Sequence, residues 1–429
     1  MDPLPAFLLS MILASIIIPR LGPFLSLVIC SILFGSLVGM GPELLGYISS
    51  GLARMFSSLA LVILGGAVLA EYLRKTGSLE RIVSDLSRLA KRRLLVSGAA
   101  GFLISIPVMC SITAFMILEP VVRGLARSPA CFTHIDERRA LFLTAICSAI
   151  SFNLIYPSPV MITLSSGLAA SPSSLLLRAI PISLAIFVIS CLIMLHIPLQ
   201  PREALPNGQV ETAIAREQAD TTRISRLRAW FPLLLPVLLM LAGTLIEPDG
   251  GGDTAHLRMT AAVLSDPGLA LLLGAMLGLA WQRDRAQELI HIASRRAGVI
   301  LLDLCGAGAF GYVVSRSDLP AELFRQGQIL PVLLLPFLLA AALQLAQGSR
   351  VVTAALAAQL LSGYPLPAET LALLIAAGAF MLSYVTDPFF WLVKNATASS
   401  LRETATAYTL PLSLIGLFVF VLAAVDWAL

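Results

Sequence analysis

An aspartate followed by a proline interrupts an apolar run near the end of this chain, in FMLSYVTDPFFWLVK, with Asp387 and Pro388 at its centre. A carboxylate at membrane depth costs about 2.5–3.5 kcal/mol on insertion scales. A proline there frees backbone groups that lipid cannot satisfy. Both are tolerated where the break lines a cavity inside the protein. Asp387 could then carry a proton, accept from substrate hydroxyls, or cap the helix that starts at Pro388, with Ser383 and Thr386 beside it. Arg350 follows a Gly-Ser turn between two apolar arms, next to Gln347, Gly348 and Ser349. Its guanidinium fork matches a carboxylate, which makes it a clamp for an organic anion; the alternative is a structural ion pair with Asp387 or Asp303. Asp303, embedded in GVILLDLCGAGAFG, joins Asp387 as a candidate proton-coupling site, with a salt bridge to an arginine as its alternative.

A second polar set lies in the first half: Ser111 and Thr113 in PVMCSIT, and Asn153, Tyr156 and Ser158 in SFNLIYPSPV. A lone Ser or Thr in a membrane helix more often bonds a backbone carbonyl or packs between helices. Clustering in two matching places favours a substrate cradle instead, completed by the positive ends of helices starting there. Glu71 and Asp266, near segment ends, read as solvated or capping. The histidines and cysteines show no HExxH and no CxxC, so neither a metal nor a redox site is expected. Gly306-Ala307-Gly308-Ala309 lies in an apolar run without a strand, which speaks against a nucleotide. No enzyme constellation and no cofactor are expected.

The elements that must hold these residues are helices in a membrane. Of 429 residues 58% are hydrophobic and 13% charged, against roughly 45–50% and 25% in soluble domains. The net charge of +4 sits in short loops and implies no nucleic acid. Apolar segments recur in one order in two halves: residues 1–199 and 230–429, joined by a polar linker over 200–229. Each half is expected to hold crossing segments, a re-entrant hairpin (tips at Cys110–Thr113 and Gln347–Arg350) and a broken transmembrane helix (140–168 and 370–393). Ser78–Arg93 reads as an amphipathic helix on the cytoplasmic surface.

Charge sets the orientation. The basic loop Arg74–Arg93, the arginines Arg123, Arg127, Arg138 and Arg139, and the basic linker all fall on one side only if the first hairpin re-enters. The acidic loop Glu247–Ala255 faces outward, and both termini lie outside. The halves then have inverted topology, as in many secondary transporters. Arg316 and Arg325 on the outer side run against the positive-inside bias.

With these pieces in view, the chain resembles the gluconate permease (GntP-type) family. LQLAQGSRVVTAAL is similar to that family's R-x-A-Q-G-S-A-T-V-A segment. LSYVTDPFFWLVK and SLRETATAYT are similar to its S-H-V-N-D-x-x-F-W and K-E-T-x-x-x-W-T stretches. The resemblance implies a proton-driven importer of gluconate or related sugar acids, with some relatives carrying serine, and a possible homodimer. It carries over Gln347, Gly348, Ser349, Ser383, Asp387, Phe390 and Trp391. The chain departs from the pattern at SFNLIYPSPV, which lacks the family's histidines, at Gln344 in place of the tip arginine, and at Tyr384 and Thr386.

These readings converge on a multi-pass inner-membrane secondary transporter for a small organic anion, coupled to a proton or Na⁺. The alternatives are a cation/proton antiporter using Asp303 and Asp387, and a serine-type amino-acid symporter.

Overall fold

Helix is the only regular structure among the described residues, as expected where lipid forces each segment to satisfy its own backbone. The computed structural model describes residues 2–89, 93–127, 134–197, 199, 225–245, 263, 266–327, 330–384 and 386–428. The linker up to residue 224 and the acidic loop 247–255 lie outside them.

Helix α1 (Pro3–Val38) covers two of the expected crossing segments, Leu4–Pro19 and Leu21–Val38, but Gly22 breaks it at φ 76°. Cys30 Sγ donates to the Ser10 carbonyl at 3.3 Å, whereas a straight helix would hold these residues about 30 Å apart. The chain therefore folds back at Gly22 into two antiparallel limbs. Then follow α2 (Leu44–Lys75) and α3 (Ser78–Leu89). The first hairpin is α4 (Arg93–Val108) with α5 (Ser111–Arg127), and the first broken helix is α6 (His134–Leu154) with α7 (Pro159–Leu168). Helix α8 (Pro172–His196) closes this half.

The second half repeats the order. Helices α9 (Arg226–Leu245), α10 (Pro267–Trp281) and α11 (Ala286–Ser315) match the limbs of α1 and α2. A short helix α12 (Leu319–Gly327) matches α3; the sequence reading has no helix there, although Leu319, Leu323 and Phe324 share one face. The hairpin α13 (Leu334–Gln347) with α14 (Arg350–Leu360) and the broken helix α15 (Ala368–Ala379) with α16 (Pro388–Ala396) follow. Helix α17 (Leu401–Thr404) runs through a π-turn, Ala405–Thr409, into α18 (Leu410–Ala428). Helix α9 begins at Arg226, so the end of the expected linker is already helical.

Six stretches of the described residues are long and apolar enough to cross a membrane, while the hairpin limbs are too short to cross alone. Each hairpin packs on the broken helix of its own half. Every residue from Ala140 to Ser165 is buried, as is every one from Thr370 to Phe380, so the first broken helix and the α15 part of the second face protein; at the second break and in α16, Leu382, Tyr384 and Trp391 are exposed. Helices α1, α2, α9, α10 and α11 form the other body, fastened where α2 and α11 touch backbone to backbone at Gly51 and Gly308. The glycines of the GAGAFG run thus serve close packing: Gly306 lies against Phe24 and Gly311 against Gln359.

Two carboxylates expected at segment ends differ in fate. Asp266 caps α10, accepting from the Leu269 N–H at 2.8 Å. Glu71, in contrast, is buried and pairs with Arg74 and with Arg296 at 3.0 Å. The expectation of a solvated or capping role fails for Glu71, because its helix turns inward against α11 and a buried charge needs partners.

Candidate functional site

Both hairpins turn by the same device. Helix α4 ends at Met109, in the left-handed region at φ 54°, and α13 ends at Gly348 at φ 65°. The next side chain caps the returning helix: Cys110 Sγ accepts from the Thr113 N–H at 3.5 Å, and Ser349 Oγ accepts from the Val352 N–H at 3.5 Å. Ser111 and Arg350 are thus matching first residues of α5 and α14. The breaks also match. Ser158 accepts from the Met161 N–H at 3.2 Å ahead of Pro159, and Asp387 Oδ1 accepts from the Phe389 N–H at 2.9 Å ahead of Pro388. A proline in the first turn loses no hydrogen bond, which makes Ser-Pro and Asp-Pro efficient helix starts.

The second tip lies directly on the second break. A Cβ on Gly348 would overlap the Thr386 carbonyl and reach the Asp387 N–H. One residue pair further on, Arg350 Nη2 donates to Ser383 Oγ at 2.9 Å, Asp387 Oδ2 at 3.3 Å and the Tyr408 hydroxyl at 3.4 Å. Arg350 is 5% exposed and Asp387 2%. Arg350 Nε has no hydrogen-bond partner among the described residues, so a donor of a buried cation stands unfilled beside its only carboxylate there. Asp387 therefore caps and pairs at once.

The first half contributes from the other side. Phe115, one turn into α5, meets Phe389 at 5.6 Å between ring centroids, and Phe389 meets Tyr408 at 5.6 Å. Further along the same two helices, Arg123 donates to the Ala396 carbonyl. These two contacts make α5 and α16 parallel, with their first turns side by side. Gly167 of α7 touches Ala358 of α14, each equally far from its helix start, and these helices pack together. The N-termini of α5, α14 and α16 thus converge, and each brings a positive dipole end. Asn153 donates to the Ala376 carbonyl at 2.7 Å, tying the first broken helix to the second, while its Oδ1 has no partner among the described residues. Tyr156, Ser158 and Ser111 are buried and Thr113 is half-buried.

The structure gathers Arg350, Ser383 and Asp387, with the backbone of Gly348 and Thr386, into one cluster. It sends Gln347 elsewhere, its Nε2 donating to Met11 Sδ at 3.3 Å. Asp303 is elsewhere too. It accepts from the Phe24 backbone N–H, the orphan donor left where Gly22 restarts α1, so it acts as a cap supplied by a neighbouring helix. Tyr408 lies in the SLRETATAYT stretch but is not among the site residues expected from the sequence; a π-turn widens the helix there, as often happens at functional sites. Cys110 as a cap was also missed. The described residues contain no cluster able to hold a metal.

The arginines that set the topology close helix ends. Arg138 Nε donates to the Thr397 carbonyl at 3.1 Å, and Arg139 donates to the Leu195 and Ile197 carbonyls, each at 3.1 Å. Cations at helix C-termini satisfy orphan carbonyls and suit the dipole.

Paired hairpins and broken helices that meet at a buried charge, inside a multi-pass helical membrane protein, are the architecture of a membrane transporter. The profile of the GntP family permeases matches residues 5–426, and the chain belongs to that family. It is 27% identical to the D-serine transporter DsdX of Escherichia coli strain K12, covering 93% of this chain and 92% of that one. Identity to the gluconate permease of Zymomonas mobilis is 25%, covering 94% and 92%. Among solved structures, the YdaH transporter of Alcanivorax borkumensis aligns with a TM-score of 0.57 at 16% identity, covering 91% of this chain and 88% of that one; its report describes an unusual topology, and the likeness concerns the fold. The chain is a permease, not an enzyme.

Proposed function

We propose that this permease takes up a small organic acid, gluconate or a related sugar acid, across the inner membrane together with a proton. One observation carries the reading: buried Arg350 holds Asp387 as counter-ion while its Nε remains unfilled. In the empty state Asp387 neutralises Arg350. A proton placed on the Asp387 carboxylate removes that charge, and the substrate carboxylate replaces it on the guanidinium. The site is then equally neutral empty and loaded, and either ligand alone would leave an unpaired buried charge, which is costly. That is a physical basis for coupling. The converging helix starts add positive potential, and Asn153, Ser383 and Tyr408 offer partners for hydroxyl groups.

In this reading the two halves lie in opposite orientation, with the termini outside and the 200–229 linker in the cytoplasm. The hairpins and broken helices move against the body built from α1, α2, α9, α10 and α11. The bond from Phe24 favours a capping role for Asp303 and leaves Asp387 as the proton carrier.

Uptake of labelled gluconate into proteoliposomes, with and without a protonophore, tests the reading. Uptake should collapse with the protonophore and in Arg350→Ala. Na⁺/H⁺ exchange without organic uptake would replace it by the antiporter. A second reading has its own observation: adjacent opposite charges on Arg350 and Asp387 suit the carboxylate and ammonium of a zwitterion such as D-serine, the cargo in the name of one relative. Competition between gluconate and D-serine in the same assay separates the two.

A further inference from the structure

A cavity of about 480 Å³ opens where α7, α11 and α14 end and α2 begins, within the range of about 300–1,000 Å³ usual for small-molecule sites. Its rim carries two arginines from separate helices. Arg54 lies 4.7 Å and Arg316 4.9 Å from the centroid of the Tyr312 ring, and Arg316 also faces Tyr47 at 5.8 Å. Neither arginine forms an ion pair with a described residue. Glu43 is engaged by the Tyr47 hydroxyl. Arg316 Nη2 also donates to the Tyr312 hydroxyl at 2.5 Å. Two guanidiniums held at one tyrosine concentrate positive charge at the cavity rim, and a bound anion offsets that charge. Deeper in, Thr163 is 2% exposed, lines the cavity, and its hydroxyl has no hydrogen-bond partner among the described residues. Gln359 Oε1, also lining it, is likewise unpaired.

The cavity is separate from the Arg350 cluster but lies on the same helix. From Arg350 to Gln359 along α14 the rise is about 14 Å. We propose that this cavity is an anion vestibule, in which Arg54 and Arg316 collect small carboxylates and Thr163 and Gln359 hold their hydroxyls before transfer toward Arg350. As the first station of the same route it rests on the organic-acid reading. It also gives a reason for Arg316 on the outer side, where the topology count has no use for a positive charge: the charge serves cargo.

The test reads binding without uptake. Purified protein in detergent is treated with phenylglyoxal, and modification of Arg54 and Arg316 is followed by peptide mass spectrometry with gluconate, lactate, succinate or neutral glucose present. At least one acid should slow both modifications about fivefold while glucose does not, and the protection should persist in Arg350→Ala. In uptake assays Arg54→Gln/Arg316→Gln should raise KM about tenfold at unchanged maximal rate and weaken its dependence on ionic strength. No protection by any acid, equal protection by glucose, or protection lost in Arg350→Ala would each overturn the vestibule. If the wild-type protein transports none of these acids, the uptake reading fails on its own, while the labelling result still decides the vestibule.

Discussion

The two hairpin-and-break modules share a scaffold and differ in charge. Each tip uses one left-handed residue and one capping side chain, and each break uses a cap followed by proline. In the first module the matching positions are Met109, Cys110, Ser111 and Ser158; in the second they are Gly348, Ser349, Arg350 and Asp387. The turn and the helix starts are requirements of the fold, and either residue set meets them. At the tips and breaks, charge appears only in the second module. A second buried charge at the tips or breaks would add its own desolvation cost. The first module supplies helix ends and neutral polar groups to a centre whose charges lie in the other half.

The largest expected contrast is at the left-handed positions. Gly348→Ala places a Cβ into the Thr386 carbonyl, so the tip must withdraw from the break and carry Arg350 away from Asp387. Misplacement by about 1 Å can cost about a hundredfold in rate, and we expect a loss of that order in uptake with the protein still folded by size-exclusion chromatography. Met109→Gly in the other tip should keep uptake within about threefold of wild type, because relief of left-handed strain offsets part of the lost packing. Equal losses from both changes would show that the first tip also contacts the substrate.

Next in size is Asp387→Asn. Asparagine caps a helix about as well as aspartate, so the change isolates charge from capping. Removing one partner of a buried pair costs about 3–5 kcal/mol, which should lower thermal stability in detergent. Added gluconate should restore part of it by supplying the missing negative charge. Uptake driven by a pH gradient should vanish, whereas gluconate binding should persist and lose its pH dependence. A variant that still accumulates gluconate against a gradient would move the proton elsewhere, with Asp303 the next residue to test.

How much of this the sequence holds depends on the range of each contact. The hairpins and breaks are legible because apolar runs interrupted by Gly-Ser or by Asp-Pro are local patterns. Arg350 at depth and Asp387 as a cap follow from the same local signals. Tyr408 stands 58 residues from Arg350 in the chain; the SLRETATAYT motif marks its segment, but nothing local shows that the π-turn brings it to Arg350. Asp303 reads as a proton site because its local environment is apolar; only the tertiary structure reveals the orphan N–H of Phe24 that it satisfies. Arg54 and Arg316 come from helices whose meeting depends on Gly51 fitting Gly308; the sequence reading has Arg316 only as a charge against the positive-inside bias and gives Arg54 no role. Opposite orientation of the halves is an expectation from charge counting, whereas the repeated element order is visible in the helices themselves.

A smaller effect is expected from Tyr408→Phe. Its hydroxyl is the longest of the three contacts to Arg350, at 3.4 Å, and the ring keeps its packing on Phe389. Loss of one hydrogen bond to a charged group is worth about 1.5–3 kcal/mol, and the length of this one puts it at the low end. Uptake should fall about tenfold, mainly through KM if the hydroxyl only steadies the clamp. A fall in maximal rate at constant KM would instead tie Tyr408 to the moving step.

The smallest effect tests whether the first module is scaffold alone. Ser158→Ala removes the side-chain cap of α7 and leaves Pro159 to start the helix. Loss of an N-cap costs about 1 kcal/mol, and the expected outcome is a slightly lower melting temperature with KM and maximal rate unchanged. Asn153→Ala is the matched control. Its amide crosses from the first broken helix to the Ala376 carbonyl, and an unsatisfied buried carbonyl costs about 1–3 kcal/mol. A KM that rises in Asn153→Ala but not in Ser158→Ala would place the free Oδ1 of Asn153 against the substrate, and the first half would then hold one group that reads cargo. If KM rises in both, the neutral cap belongs to the binding site as well, and the division into scaffold and chemistry falls.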